Sequence, residues 1–218
     1  MKKKILVACL CVALAVLTIA GTTLAYLTSQ DKVTNTFTVG NVKMTMDEAK
    51  VNTDGTLVYE ADNTTPVARV NENTYILSPG HTYVKDPIVH MNAVSEDSYV
   101  FIKVENGLGV LEASDAGYTT IAAQITANGW KPLMNGTTAV ADVYYQEDTK
   151  NQTDRELEVF ANFKIADNAN TLKNANDQFI WDTITDANKI NVNVTAYAIQ
   201  KDGMTSAYDA WTKGGFGN

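Results

Sequence analysis

The sequence predicts a mainly β protein, a jelly-roll-like two-sheet antiparallel β-sandwich with short helices in its connections and an N-terminal signal helix. Three observations predict it. Several windows alternate apolar and polar residues with period two, the pattern of strands that bury one face. These windows are short, and turn or loop chemistry separates them with no linker between, so they belong to one layered unit. That unit is also about twice the length of an immunoglobulin-type sandwich, which favours a jelly roll.

The chain opens with Lys2, Lys3 and Lys4, followed by an uncharged apolar run over residues 5–20 and then Thr23-Leu24-Ala25. A basic start, an apolar stretch and small residues at the two positions a signal peptidase inspects form a secretory signal peptide, residues 1–25, cut to expose Tyr26. The apolar run is shorter than the roughly 20 residues of a spanning helix, so contact with a membrane is expected only through the uncleaved signal. Cys9 follows a small residue, as in a lipoprotein signal, but only four apolar residues precede that pattern and the run continues past it.

Residues 26–41 are polar and β-prone and read as an N-terminal strand. Val33, Phe37 and Val39 fall on odd positions, whereas Val42, Met44 and Met46 fall on even ones. The phase flips at Gly40 and Asn41, a pair suited to a bulge, turn or hinge. Residues 47–73 are acidic, rich in Asn and Thr and weakly periodic, and read as a long loop or ragged hairpin. Leu77-Ser78-Pro79-Gly80 is a turn signal. Residues 82–91 are extended, with Pro87 at an edge or bulge. Val100, Ile102 and Val104 share one face of a strand over 99–105. Ile121, Ala122 and Ile125 have helical spacing within 118–128. Trp130 starts another strand, and 140–145 is one more.

Leu157, Val159, Ala161, Phe163 and Ile165 alternate along a single strand, the cleanest in the chain. Residues 179–181 and 190–200 are further strands. Ser206 caps a final short helix through Trp211. The sandwich domain is thus expected over residues 42–213, with 214–218 as a loose Gly-rich tail.

Both cysteines lie inside the signal peptide. The mature chain of 193 residues therefore has no disulfide, thiol nucleophile or Cys-ligated metal, and its core must hold it together. A domain of that size buries about 70% of its unfolded surface. Without the signal, 14 basic residues face 25 acids, a net charge of −11, which argues against nucleic acid and anionic membrane surfaces as partners.

No residue pattern points to a cofactor, a metal site or a catalytic centre. His81 and His90 are nine positions apart with no Glu between them, unlike a helical zinc-protease motif. Asn52-Thr53-Asp54-Gly55 reads as a turn. The pairs Asp47-Glu48, Glu96-Asp97 and Glu147-Asp148 read as solvated loop charge, with weak calcium binding as the alternative. Tyr83, Tyr99, Phe101, Tyr144, Tyr145 and Tyr197 form either cross-strand aromatic pairs or a sugar- or partner-binding face.

Residues 22–28 (Thr-Thr-Leu-Ala-Tyr-Leu-Thr) with 33–43 (Val-Thr-Asn-Thr-Phe-Thr-Val-Gly-Asn-Val-Lys) resemble the signal and first strand of TasA-like and camelysin-like proteins. Residues 77–87 and 95–106 resemble a second block of that family, and 195–200 with 207–211 its closing strand and helix. Residues 47–73 and 108–177 carry no motif of it.

The resemblance implies export by a Gram-positive cell and processing by a dedicated ER-type signal peptidase, SipW, at Thr23, Ala25 and Tyr26. It implies a secreted, non-enzymatic subunit of an extracellular biofilm matrix. The partner is then the chain itself in a head-to-tail homopolymer, or a related matrix subunit. The N-terminal strand, with Val33, Phe37 and Val39, would complete the sheet of the next subunit, and Gly40 and Asn41 would be the hinge. Camelysin relatives are classed as metallopeptidases, so a secreted peptidase is the alternative; a monomeric surface adhesin or glycan binder is another.

Overall fold

The computed structural model describes residues 28–32, 35–38, 42–115, 117–185 and 189–217, with side chains from Val42 onward. The described strands are β1 (Thr28–Lys32), β2 (Asn35–Thr38), β3 (Met44–Asp47), β4 (Thr82–Val84), β5 (Ile88–Met91), β6 (Ser98–Asn106), β7 (Lys131–Asn135), β8 (Thr138–Asp148), β9 (Arg155–Glu158), β10 (Asn162–Lys164) and β11 (Val192–Gln200). The α-helices are α1 (Ile121–Ala127) and α2 (Ala207–Lys213). No helix among the described residues is long and apolar enough to cross a membrane.

The chain is mainly β, as expected, and every pairing is antiparallel. One layer is a six-stranded sheet in the order β2-β1-β11-β6-β8-β7. The second layer consists of a three-stranded sheet, β3-β5-β9, and a two-stranded one, β10-β4. Both pieces arise from a break in one ribbon. Pro87 has no N–H, and the chain across from it bulges, so the expected strand over residues 157–165 is split into β9 and β10. The break is visible in the pairing: β9 ends at Glu158 opposite Ile88 and β10 starts at Asn162 opposite Val84, which leaves residues 159–161 outside both ladders. Two bonds carry the pairing across the gap, from Lys85 N–H to the Ala161 carbonyl and from Val159 N–H to the Pro87 carbonyl.

Helix α1 seals this break. Thr120 caps it, accepting from the Ala123 N–H. Gln124 accepts from the Ala161 N–H at 3.0 Å and donates to the Asn162 carbonyl at 2.9 Å. Trp130, buried beside the helix, donates to the Glu158 carbonyl at 2.8 Å. The break thus leaves these backbone groups partnered.

The main core lies between the layers. Met44, Met46, Val89 and Met91 meet Val100, Ile102, Val194, Ala196 and Ala198, with Ile121, Ile125 and Trp130 closing one end. The other face of the six-stranded sheet has a second core in which Tyr99, Phe101, Tyr197 and Ile199 lie under Ala210 and Trp211 of α2. The expected Ser206 cap is present, accepting from the Asp209 N–H. β6 and β11 are therefore buried on both faces.

Three expectations change. Residues 179–181 hold a single bridge, Lys173 to Phe179, and then a 3-10 turn over Trp181–Thr183, because this stretch lacks a strand partner of useful length. The expected loose tail is anchored, since Phe216 is buried against Trp211, Phe101 and Tyr197. The N-terminal strand, expected as one piece, forms a hairpin of β1 and β2. The phase flip at residues 40–41 does separate two sheets, because β2 lies in the first layer and β3 in the second.

Replacing Gln124 by Ala removes two side-chain bonds to the break, to partly buried backbone groups of Ala161 and Asn162. The expected cost is about 1–3 kcal/mol in urea unfolding; Gln124→Glu, which keeps the acceptor only, should fall between parent and Ala.

Candidate functional site

Strand β1 covers only part of the outer edge of β11. Its register runs from Thr28 opposite Ile199 to Asp31 opposite Ala196, so the first residues of β11, Val192 to Thr195, extend beyond it. On its other side β11 is paired with β6 from end to end. The Gly107 N–H donates to the Asn191 carbonyl, and an antiparallel ladder repeats every second residue, so the backbone groups of Val192 and Val194 point away from β6.

There they border a cleft of about 970 Å³. The end of β3, Met46 to Glu48, the segment 71–77, Trp181 and Ile184 line it as well. Tyr75, Leu77, Trp181, Ile184 and Ile190 pack on the main core with part of their surface free. A strand edge with no partner among the described residues, beside a partly apolar trough, suits an extended segment: backbone bonds come from the edge, and alternate side chains fill the trough.

The wall is held by two charge networks. Arg69 forks across the base of the long loop, donating to Asp47 at 2.5 Å and Asp86 at 3.0 Å, and to the Asp86 carbonyl at 2.8 Å. Asp86 also accepts from the Ala49 N–H at 2.7 Å. His90 Nε2 lies 3.0 Å from the same Asp47 carboxyl. Burial pushes Asp47 upward, but the hydrogen bonds from His90 and Arg69 outweigh it and hold the carboxyl below its ordinary value. In the second network Lys85 and Asn73 both bind Glu48, which is 4% exposed.

The root of the N-terminal segment is also fixed. Val42 is fully buried, and the Ser95 hydroxyl accepts from the Lys43 N–H at 2.9 Å and donates to the Lys43 carbonyl at 3.0 Å.

Residues 1–93 match the protein family described as camelysin metallo-endopeptidase. Over that span the chain is similar to the TasA/camelysin family. No curated protein and no solved structure matches it.

Among the site residues expected from sequence, Thr23, Ala25, Tyr26, Val33, Val39, Gly40 and Asn41 lie outside the described residues. Phe37 falls in β2, opposite Gln30 of β1. The two histidines are used separately. His81 contacts the Asp54 carbonyl at 2.7 Å, and His90 joins Asp47, with Glu156 at 3.5 Å. Among the described residues no group of three or more His, Cys, Asp or Glu side chains is placed to hold a metal ion.

The acid pairs are not plain solvated loop charge. Asp47 and Glu48 belong to the networks above; Glu96 pairs with Lys150, Glu147 with Lys201, and Asp148 with Arg155. The Asp54 turn is as expected, its carboxylate accepting from the Thr56 N–H and hydroxyl. The aromatics form packed pairs rather than an open face: Tyr99, Phe101, Tyr145 and Tyr197 lie beneath α2, and Tyr83 stacks on Phe163. Sequence reading missed the Arg69, Asn73 and Lys85 contacts, because they join positions 17 to 37 residues apart through a loop without periodicity.

Asp47 sits lower folded than unfolded, so its stabilisation is present above the ordinary carboxylate value of 3.8 and fades as acid titrates it. Asp47→Asn should therefore lower stability to urea at neutral pH, and the gap to the parent should close below pH 4. A gap of constant size would show that the carboxylate charge contributes nothing.

Proposed function

We propose that this TasA/camelysin-like chain is a secreted structural subunit of an extracellular biofilm matrix, assembling into fibres when the N-terminal segment of one copy pairs with the β11 edge of the next. The observation that carries this reading is the partial cover of β11: the segment pairs with four residues of that edge, and Val192–Thr195 continue it into an open cleft. A strand that pairs with β11 in its own domain can make the same bonds with β11 of another copy, as in domain swapping. The exchange is heterologous, so it propagates into a filament instead of closing. Signal removal at Ala25 would release the segment, and the fixed root at Val42 and Lys43 gives it a point to pivot from.

The family description also names a metallo-endopeptidase, which makes a secreted peptidase the second reading. Stoichiometric zinc in the purified mature chain, with casein cleavage lost on His81→Ala or His90→Ala, would favour it over the first.

Mature protein beginning at Tyr26, concentrated and viewed by negative-stain electron microscopy, should form filaments one domain wide. Removal of residues 26–39 should leave a folded monomer by circular dichroism and gel filtration. Filaments from the truncated chain would rule out strand donation.

A further inference from the structure

We propose that Lys85 and Asn73 become covalently joined, with Glu48 between them as the proton carrier: together the three form an autocatalytic site for an intramolecular amide bond. Lys85 Nζ lies 2.6 Å from one carboxylate oxygen of Glu48, and Asn73 Nδ2 donates to the other at 2.8 Å. The side chains of Lys85 and Glu48 are 12% and 6% exposed, so the amine faces a single carboxylate with little access to bulk water.

The carboxamide of Asn73 is fixed at both atoms. Its oxygen accepts from the Val51 N–H at 3.0 Å, and its nitrogen also donates to the Ala49 carbonyl at 2.9 Å. Acyl transfer needs an amine nucleophile, a base beside it and a donor at the oxygen that becomes negative. Lys85, Glu48 and the Val51 N–H supply them, with Lys85 and Asn73 held on the two oxygens of one carboxylate.

The step balances without any further reagent. Glu48 takes a proton from the Lys85 ammonium, which it contacts directly. The freed lone pair on Nζ attacks Asn73 Cγ, and the carbonyl electron pair moves onto Oδ1, held by the Val51 N–H. As the Cγ–Nδ2 bond breaks, a second proton passes from Nζ to the departing nitrogen. The ammonia then takes up the proton on Glu48 and leaves as ammonium. One amide has exchanged its nitrogen, and Glu48 is restored. All three residues line the cleft, which gives the product a way out. The bond would tie the end of the long loop to the chain between β4 and β5, beside the β11 edge.

The mature chain should weigh less than its sequence by one ammonia. Because an Asn-Gly pair such as Asn135-Gly136 can lose ammonia as a succinimide, the intact mass is followed by a chymotryptic digest. Cleavage after Tyr75, Leu77 or Tyr83 separates residue 73 from residue 85 in an unlinked chain; the expected result is one branched peptide carrying both.

Lys85→Arg keeps a cation against Glu48 and should restore the full mass, as should Glu48→Gln if it folds. A parent chain of full sequence mass, or one in which the two residues fall in separate peptides, overturns the proposal whatever the variants do.

Discussion

Burial of β6 and β11 on both faces is the constraint on which the rest of the domain depends. Paired along nine residues, they form the centre of the larger sheet and separate two cores. A strand pair of this kind needs cover above and below, and each fully buried large side chain contributes about 1.5–3 kcal/mol only if that cover is present. The split second layer supplies one cover. On the other side α2 and Phe216 do so, which explains why a Gly-rich chain end is packed rather than loose. Tyr99, Phe101, Tyr145 and Tyr197, which could have formed an external binding face, are consumed in this second core.

The second layer has a different character. It is interrupted at Pro87, patched by two backbone bonds and sealed by side chains of α1. Its outer strand, β3, has the long loop over residues 48–73 beside it, and that loop contains only isolated bridges. Charge takes the place of regular hydrogen bonding there: Arg69 gathers Asp47 and Asp86, and Glu48 gathers Lys85 and Asn73. The Lys85–Glu48 pair is the sheltered one, and breaking a pair of that kind costs about 3–5 kcal/mol because the remaining charge is stranded. The loop is thereby held as a wall of the cleft.

Much of the fold was legible in the sequence because strand alternation and helix spacing are local signals. The helix at Ile121–Ala127, the Ser206 cap, the change of sheet near residues 40–41 and the irregularity at Pro87 all follow from short-range chemistry. The break after Glu158 was hidden, since Val159, Phe163 and Ile165 keep one phase across it. The anchoring of Phe216 was hidden as well, because glycines flank it and its partners lie on distant strands. The cleft was the least legible part. Its walls join β11 to a loop more than a hundred residues earlier, and nothing in the periodicity of either segment signals the other.

The two rims of the larger sheet are chemically unequal. At one rim, β7 carries Pro132, which offers no N–H, and its register slips between Pro132 and Met134. An outside strand finds no continuous ladder there. At the other rim the sheet is extended by a separate hairpin, and the stem strand β11 runs on past it. A molecule with one receptive rim and one N-terminus has, on the proposed reading, a valence of two with a built-in direction. Such units form an unbranched polymer whose ends differ, so growth at the two tips would proceed by different chemistry.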